Sequence, residues 1–388
     1  MLEKYKNSYF AYFLMYNFYF LSYSLFSTLI SVYLLDRHYS AQDVSLVVSL
    51  SFFTSMLLQP FMGMLNDKIG IKKVTITSFV LVILGALYFL KAHNLLEICI
   101  GYSFVLMFIN AVNPVLDSIA ATSPFKYGKI RIWGTIGYAT GIQIAGLIYR
   151  YISPQAIFIT FIGMMFLAIL GTFGIDVDTG LNHSKKNISI LRGVKELFSN
   201  KTYWYFILIT ALYSGVTNAG HTYIPAMLKH NGLPVDIAST IISISVICEA
   251  PLIFFSYLFM DKFKAKTLLW FPLCIVFLQY LVYGFGLPIW FQIIMTLIAK
   301  HAANMILIMV TLRITSNLVD HRILMTALAI VQSMRSLGSI VIQSITGLVL
   351  DCFGYHVMSL FWASMIAVSL VLIYFLKLPQ HEKHRLFS

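Results

Sequence analysis

The sequence predicts an all-α membrane protein, with twelve transmembrane helices in two pseudo-symmetric six-helix bundles. Three observations predict it: an apolar composition, twelve runs of spanning length, and a motif that returns after half the chain. Of 388 residues, 59% are hydrophobic and 11% charged, whereas a soluble domain is about 45–50% apolar and about 25% charged. A helix needs about 20 mostly apolar residues to cross a bilayer. Such runs lie at roughly 8–35, 41–65, 74–90, 95–121, 131–150, 155–175, 202–229, 236–260, 267–286, 288–316, 323–350 and 355–377. They do not alternate apolar and polar residues, which excludes a transmembrane β-barrel.

The first run is too long for a signal-peptide core and lacks a small-residue cleavage site, so it is expected to be the first span. It carries Asn17 and Tyr23, both weak site candidates. Tyrosine is abundant here, and a single one is more often packing or an interfacial anchor than a ligand. The second run ends in Gly63-Met-Leu-Asn-Asp67-Lys68-Ile-Gly70-Ile-Lys-Lys73. The eighth run leads into Asp261-Lys262, and 261 − 67 = 194, half of 388. Gly146-Leu147 and Gly347-Leu348 echo each other across the same two halves. The second copy lacks glycines at the positions of Gly63 and Gly70.

This duplication divides the chain into an N-terminal bundle (1–178), a linker (179–201) and a C-terminal bundle (202–388). In the linker, Ile188, Leu191, Val194 and Leu197 fall on one face of a potential amphipathic helix lying on the membrane. A solvated linker fits equally well.

Charge distribution fixes the expected orientation. With odd-to-even connections outside, only Arg37, Lys91, Arg150 and Lys229 fall there. The remaining loop lysines and arginines gather on the other side, which predicts cytoplasmic termini. The net charge of +12 therefore describes topology rather than a nucleic-acid surface. The four cysteines show no metal-ligand spacing, and no metal or cofactor is expected. The partners expected are a small-molecule substrate and the lipid bilayer, with a monomer as the default state.

Polar residues within spans carry the functional signal. In the fifth, Arg131 stands three residues before Gly134, and Gly137, Gly141 and Gly146 follow at spacings that allow close helix approach. Asn113 and Asp117 precede it in the fourth span. In the seventh, Asn218 and His221 lie near one face with Ser214, and Pro225 is expected to break the helix locally. Glu249 sits near the middle of the eighth, with Ser245 and Ser256 on roughly its face. A carboxylate there is protonated, paired or facing a wet cavity. Span ten carries Lys300, His301 and Asn304 but no carboxylate, and span eleven carries Arg335, Ser339 and Gln343 at successive i+4 steps. Arg335 either receives an anionic substrate group jointly with Arg131 or neutralises Glu249 or Asp67.

The stretch from Gly63 to Lys73 resembles the loop between helices two and three of the major facilitator superfamily. Gly63, Leu65, Asp67, Lys68, Gly70, Lys72 and Lys73 match that pattern, and Ile71 departs from its usual basic residue. The resemblance implies gating roles for Asp67, Gly63, Lys68 and Gly70. Tyr127, Gly128, Lys129, Arg131, Trp133, Gly134, Gly137 and Tyr138 resemble the fifth helix of the lactose-permease-like branch. That branch comprises proton-linked permeases for sugars, nucleosides and phenylpropionate. It implies substrate contacts at Arg131 and Tyr138, and a functional carboxylate at Glu249. The branch's acidic residue in helix ten is missing here, which leaves Glu249, Asp117 or His301 to carry the proton.

The expected function is therefore a proton-coupled symporter for a small polar solute such as a sugar, nucleoside or small carboxylate, in an inner or plasma membrane. The substrate-binding candidates are Arg131, Tyr138, Arg335, Asn113, Asn218, His221, His301 and Asn304. Glu249 and Asp117 are the coupling candidates, and the proton is the coupling ion. An exporter on the same fold is the alternative. No nucleophile–base pair, phosphate loop or metal cluster stands out, which argues against an enzyme.

Overall fold

The computed structural model describes residues 5–175, 200–255, 260, 262–319 and 324–378. The side chains of Asp67 and of residues 252–254 lie outside that description, as do the expected linker helix and Asp261. Span one is Tyr9–Ser27 continued by Ile30–Asp36; spans two to six are Ala41–Ile69, Ile71–Leu90, Leu95–Ala121, Tyr127–Tyr151 and Ala156–Phe173. Span seven is Lys201–His230, span eight Val235–Ile247 with Glu249–Phe254, span nine Ala265–Gly284, and span ten Ile289–Ala299 with Ala302–Leu318. Spans eleven and twelve form one unbroken assignment, Leu324–Phe375, bent at Gly354 (φ 79°, ψ −178°).

Local chemistry sets the boundaries. The Ser40 hydroxyl accepts from the Asp43 amide at 3.0 Å while the Asp43 carboxylate accepts from the Ser40 amide, closing a capping box on span two. Asn94 caps span four, its side-chain oxygen accepting from the Glu97 amide at 2.9 Å while the Glu97 carboxylate accepts from the His93 amide. The odd-to-even connections 37–40, 91–94, 152–155, 231–234 and 285–288 each take four residues. The last joint of this series is Gly354.

Two expectations need correction. The Gly63–Lys68 motif is not a loop: the helix of span two runs through it to Ile69, and only Gly70, at φ 96°, breaks the chain. A positive φ of this size favours glycine, which has no Cβ to clash. Pro225 does not break span seven, which continues to His230. The Ser31 hydroxyl donates to the Thr222 carbonyl, in the turn that the proline disturbs. The break falls instead in span eight, at Cys248. Pro251 follows three residues later, and its ring crowds the carbonyl four residues back, that of Ile247.

Residues divide into two compact units: Met1–His183 with His221–Ile247, and Ser184–Gly220 with Cys248–Ser388. This differs from a division at 179–201, because the His221–Ile247 stretch of spans seven and eight packs with the first six spans. In the first unit, span one packs on spans five and six, span two on span four, and Val235–Ile247 on span five. Its core is aromatic: Phe26 meets Tyr102, Phe89, Phe158 and Phe161 at centroid distances of 5.3, 5.3, 5.5 and 4.9 Å. Ring pairs in such geometry add to what burial alone contributes. In the second unit, span nine packs on span ten and on Leu324–Phe375. Trp362, fully buried, donates its indole N–H to Thr346 at 3.0 Å and stacks edge-on against Tyr280.

Eight helices among the described residues are long and apolar enough to cross a membrane on their own hydropathy. Spans five, seven and eight are not among them. Spans five and seven carry Arg131, Asn218 and His221, whereas span eight is divided at Cys248 into helices of 13 and 6 residues, each short of spanning length.

Candidate functional site

Small residues set up the site of the first unit. A Cβ at Gly137 would strike the Asn17 carbonyl, and one at Gly141 would lie 2.5 Å from that of Leu21. Spans one and five therefore meet backbone to backbone, as the glycine spacing predicts. That approach brings Arg131 beside Tyr16 and Phe20 of span one. The Arg131 guanidinium lies 5.3 Å from the Phe20 ring centroid, and its Nε is 3.9 Å from an Asp117 carboxylate oxygen on span four. Tyr16 donates a short hydrogen bond to the same carboxylate, and Tyr127 donates at 3.4 Å. Asn17 donates to the Trp133 carbonyl at 3.1 Å, while the Trp133 indole donates to Tyr9 at 2.7 Å.

Two predicted residues thus come together, Arg131 and Asp117, with side-chain exposures of 34% and 42%. The pair is reachable, not sealed. The sequence reading missed Tyr16 and offered only one usable signal, its place one residue before Asn17. Tyr138 is half-buried, packed against Ala139, Ile142, Ile242 and Val246, and edge-on to Tyr23 at 5.8 Å. Asn113 lies one turn before Asp117, with a buried Oδ1 that no described residue meets. His221 belongs to the same unit.

Charged residues at the ends of these helices form a second cluster that the sequence reading missed. The Lys229 ammonium lies 2.5 Å from both Asp36 carboxylate oxygens, and Tyr149 donates to Asp36. Arg150 donates to Asp236 at 2.6 Å. A Cβ at Gly146 would strike the Ser239 side chain one turn further along. The available signal was the repeat itself, since Asp36 and Lys229 are 193 residues apart, close to the half-length of the duplication.

In the second unit, Arg335 of span eleven donates from Nε to the Ser214 hydroxyl of span seven at 2.5 Å. Ser339 donates to the Arg335 carbonyl, and Asn218 donates to Ser339 at 2.7 Å. The predicted polar face of span eleven is therefore turned towards span seven. Arg335 makes no ion pair with a described carboxylate, so its expected neutralisation of Glu249 does not occur. Its proposed alternative, Asp67, has a side chain outside the described residues.

Glu249 opens the short helix after the Cys248 break and is partly buried. Ser245 is turned back onto the Ile242 carbonyl, and Ser256 lies outside the described residues. His301 and Lys300 are buried, at 7% and 6% exposure, between the two helical pieces of span ten; Asn304 is partly buried beyond them. The polar neighbours one turn earlier satisfy one another: Gln279 donates to Tyr283, and Tyr283 bonds Thr296 at 2.6 Å. Among the gating candidates, Lys68 is exposed, and a Cβ at Gly63 would meet nothing within 4 Å.

These arrangements set charged and polar side chains within and at the ends of apolar helices, and known proteins resemble this chain over most of its length. The MFS_1 like family matches residues 9–361. The chain is 28% identical over 301 residues to the protein named "Uncharacterized transporter YwbF" of Bacillus subtilis (strain 168), covering 70% of this chain and 74% of that protein. It is 25% identical over 398 residues to the sucrose permease of Escherichia coli, covering 95% and 93%. Among solved structures, a single-residue variant of the nucleoside transporter NupG superposes with a TM-score of 0.83 at 16% identity, over 94% of this chain and 99% of that one. The relatives are transporters, not enzymes. The chain is a multi-pass membrane protein of the major facilitator fold, and it belongs to the MFS_1-like family.

Proposed function

We propose that this protein is a proton-coupled symporter that imports a small polar solute of the sugar, nucleoside or small-carboxylate kind. Arg131 in its reachable pair with Asp117 is the observation that carries the reading. A guanidinium at the start of a span, 3.9 Å from a carboxylate that itself accepts from two tyrosines, is a ready hydrogen-bond partner for solute hydroxyls or acids. The sucrose permease, a lactose permease of Klebsiella oxytoca and a raffinose permease of Escherichia coli among its relatives support a sugar-like solute.

Alternating access would carry the solute between the two sides. Glu249 is the leading proton carrier, since a carboxylate inside a span is stable in its neutral form and charges when water reaches it. Both termini face the cytoplasm of an inner or plasma membrane, and the protein works as a monomer with no cofactor other than the proton. An exporter by proton antiport is the second reading. The polar side chains at Arg131, Arg335 and Asn218 favour a defined polar solute over a broad apolar cargo.

The test is uptake of radiolabelled sucrose, lactose and uridine into reconstituted vesicles with an inward proton gradient. One proton per solute and one pH unit sustain about tenfold accumulation. In Glu249→Gln, accumulation is expected to vanish while solute exchange continues. Accumulation that survives this change would move the proton to Asp117 or His301. Solute expelled by an outside-acidic gradient would favour the exporter.

A further inference from the structure

The two arginines occupy equivalent places in the repeat. Arg131 stands three residues before Gly134, and Arg335 three residues before Gly338. In each unit, glycines of that helix press against the backbone of the first helix of its half. Gly137 meets Asn17; Gly338 meets the Ala211 carbonyl, and a Cβ at Gly215 would lie 2.6 Å from the Gly338 oxygen. A tyrosine of that helix accompanies each arginine: Tyr16 in one unit and, in the other, the fully buried Tyr213, which immediately precedes the Ser214 that accepts from Arg335.

The units differ in one respect. Arg131 has Asp117, and Tyr16 donates to that carboxylate. Around Arg335 no described carboxylate takes this place, and span ten, the repeat partner of span four, contains none. Among the described residues, the hydrogen bond that Arg335 donates comes from Nε, and the buried Tyr213 hydroxyl has no hydrogen-bond partner. A guanidinium stays protonated under all working conditions, and a buried hydroxyl without a partner is destabilising. Lys300, buried at 6% exposure, adds a second basic side chain to the same unit without an ion pair among the described residues.

We propose that the transported solute is an organic anion, whose ionised group sits on the Arg335 Nη atoms and the Tyr213 hydroxyl, where Asp117 sits in the first unit. This rests on the transport reading and narrows it to solutes with a carboxylate or phosphate. The planar fork of arginine fits both groups through two parallel hydrogen bonds. Spans seven and eleven hold that fork in place through the Ser214 bond and the glycine contact.

The test pairs solutes that differ mainly in charge: glucose with glucuronate, and uridine with uridine monophosphate. Uptake of each into vesicles is measured for the wild type, Arg335→Lys, Arg335→Gln and Tyr213→Phe, with thermal melts to confirm folding. The anionic member of at least one pair is expected to be taken up about tenfold better than its neutral partner. Arg335→Gln should abolish that preference. Arg335→Lys should keep it at lower rate, and Tyr213→Phe should weaken uptake of the anion alone. Uptake of the neutral members alone, or a preference unchanged in Arg335→Gln, overturns the anion assignment and leaves transport standing. Uptake of no member of either pair overturns the anion assignment, and if sucrose and lactose are not taken up either, the transport reading falls with it.

Discussion

Asp36 and Lys229 show what single charges contribute at a helix end. Both are partly exposed, at 39% and 36% for the side chains, so their attraction is screened by water and salt. An exposed pair of this kind contributes about 0.2–1 kcal/mol; the Tyr149 hydrogen bond and a second pair, Arg150 with Asp236, reinforce it. Asp36→Asn and Lys229→Gln are each expected to lower the melting temperature in detergent by a few degrees. The double variant should lose little more than either single one, because the second change removes a partner already stranded. Raising the salt concentration should shrink the coupling. Additive losses at low salt would show that the two residues act separately.

Helices one and five, and seven and eleven, are held by contact rather than by charge. Two glycines in this chain make opposite forecasts. Gly137→Val should abolish a monodisperse, folded product, because the added atoms would occupy the space of the Asn17 backbone. Gly63→Ala should leave the melting temperature unchanged or slightly raised, since its Cβ enters open space on a continuous helix. Alanine is favoured over glycine within a helix by about 0.5–1 kcal/mol. Size-exclusion profiles and melts of the two variants decide this. A folded Gly137→Val would mean that spans one and five can part without loss. A marked loss in uptake by a well-folded Gly63→Ala would assign Gly63 a role in motion.

The whole molecule was legible wherever its physics is periodic or counted. Apolar length located the spans, and the 194-residue recurrence revealed the halves. Glycine spacing announced the close approach of span five. Sites that depend on pairing between distant helices were less legible. Asp117 and Arg131 are fourteen residues apart and share a site because spans four and five run back along each other. Tyr16 joins them from a helix more than a hundred residues away. In its own neighbourhood only the adjacent Asn17 separates it from the other tyrosines. The break before Glu249 was readable in principle from Pro251; Pro225 drew the prediction instead, although tertiary contacts keep that helix whole. Packing of His221–Ile247 with the first six spans depends on residues from both halves, which a repeat read along the chain does not express.

The four-residue connections and the Gly354 joint have a consequence for how other molecules meet this protein. They leave that end of the helices almost bare of loops. Under the proposed orientation it faces the outside world, so an antibody, a phage or a secreted protease would find little chain to grip or cut. Natural variation that evades such agents would have few positions to use. A blocking agent aimed from outside would need to be small, and would have to follow the solute's own path inward.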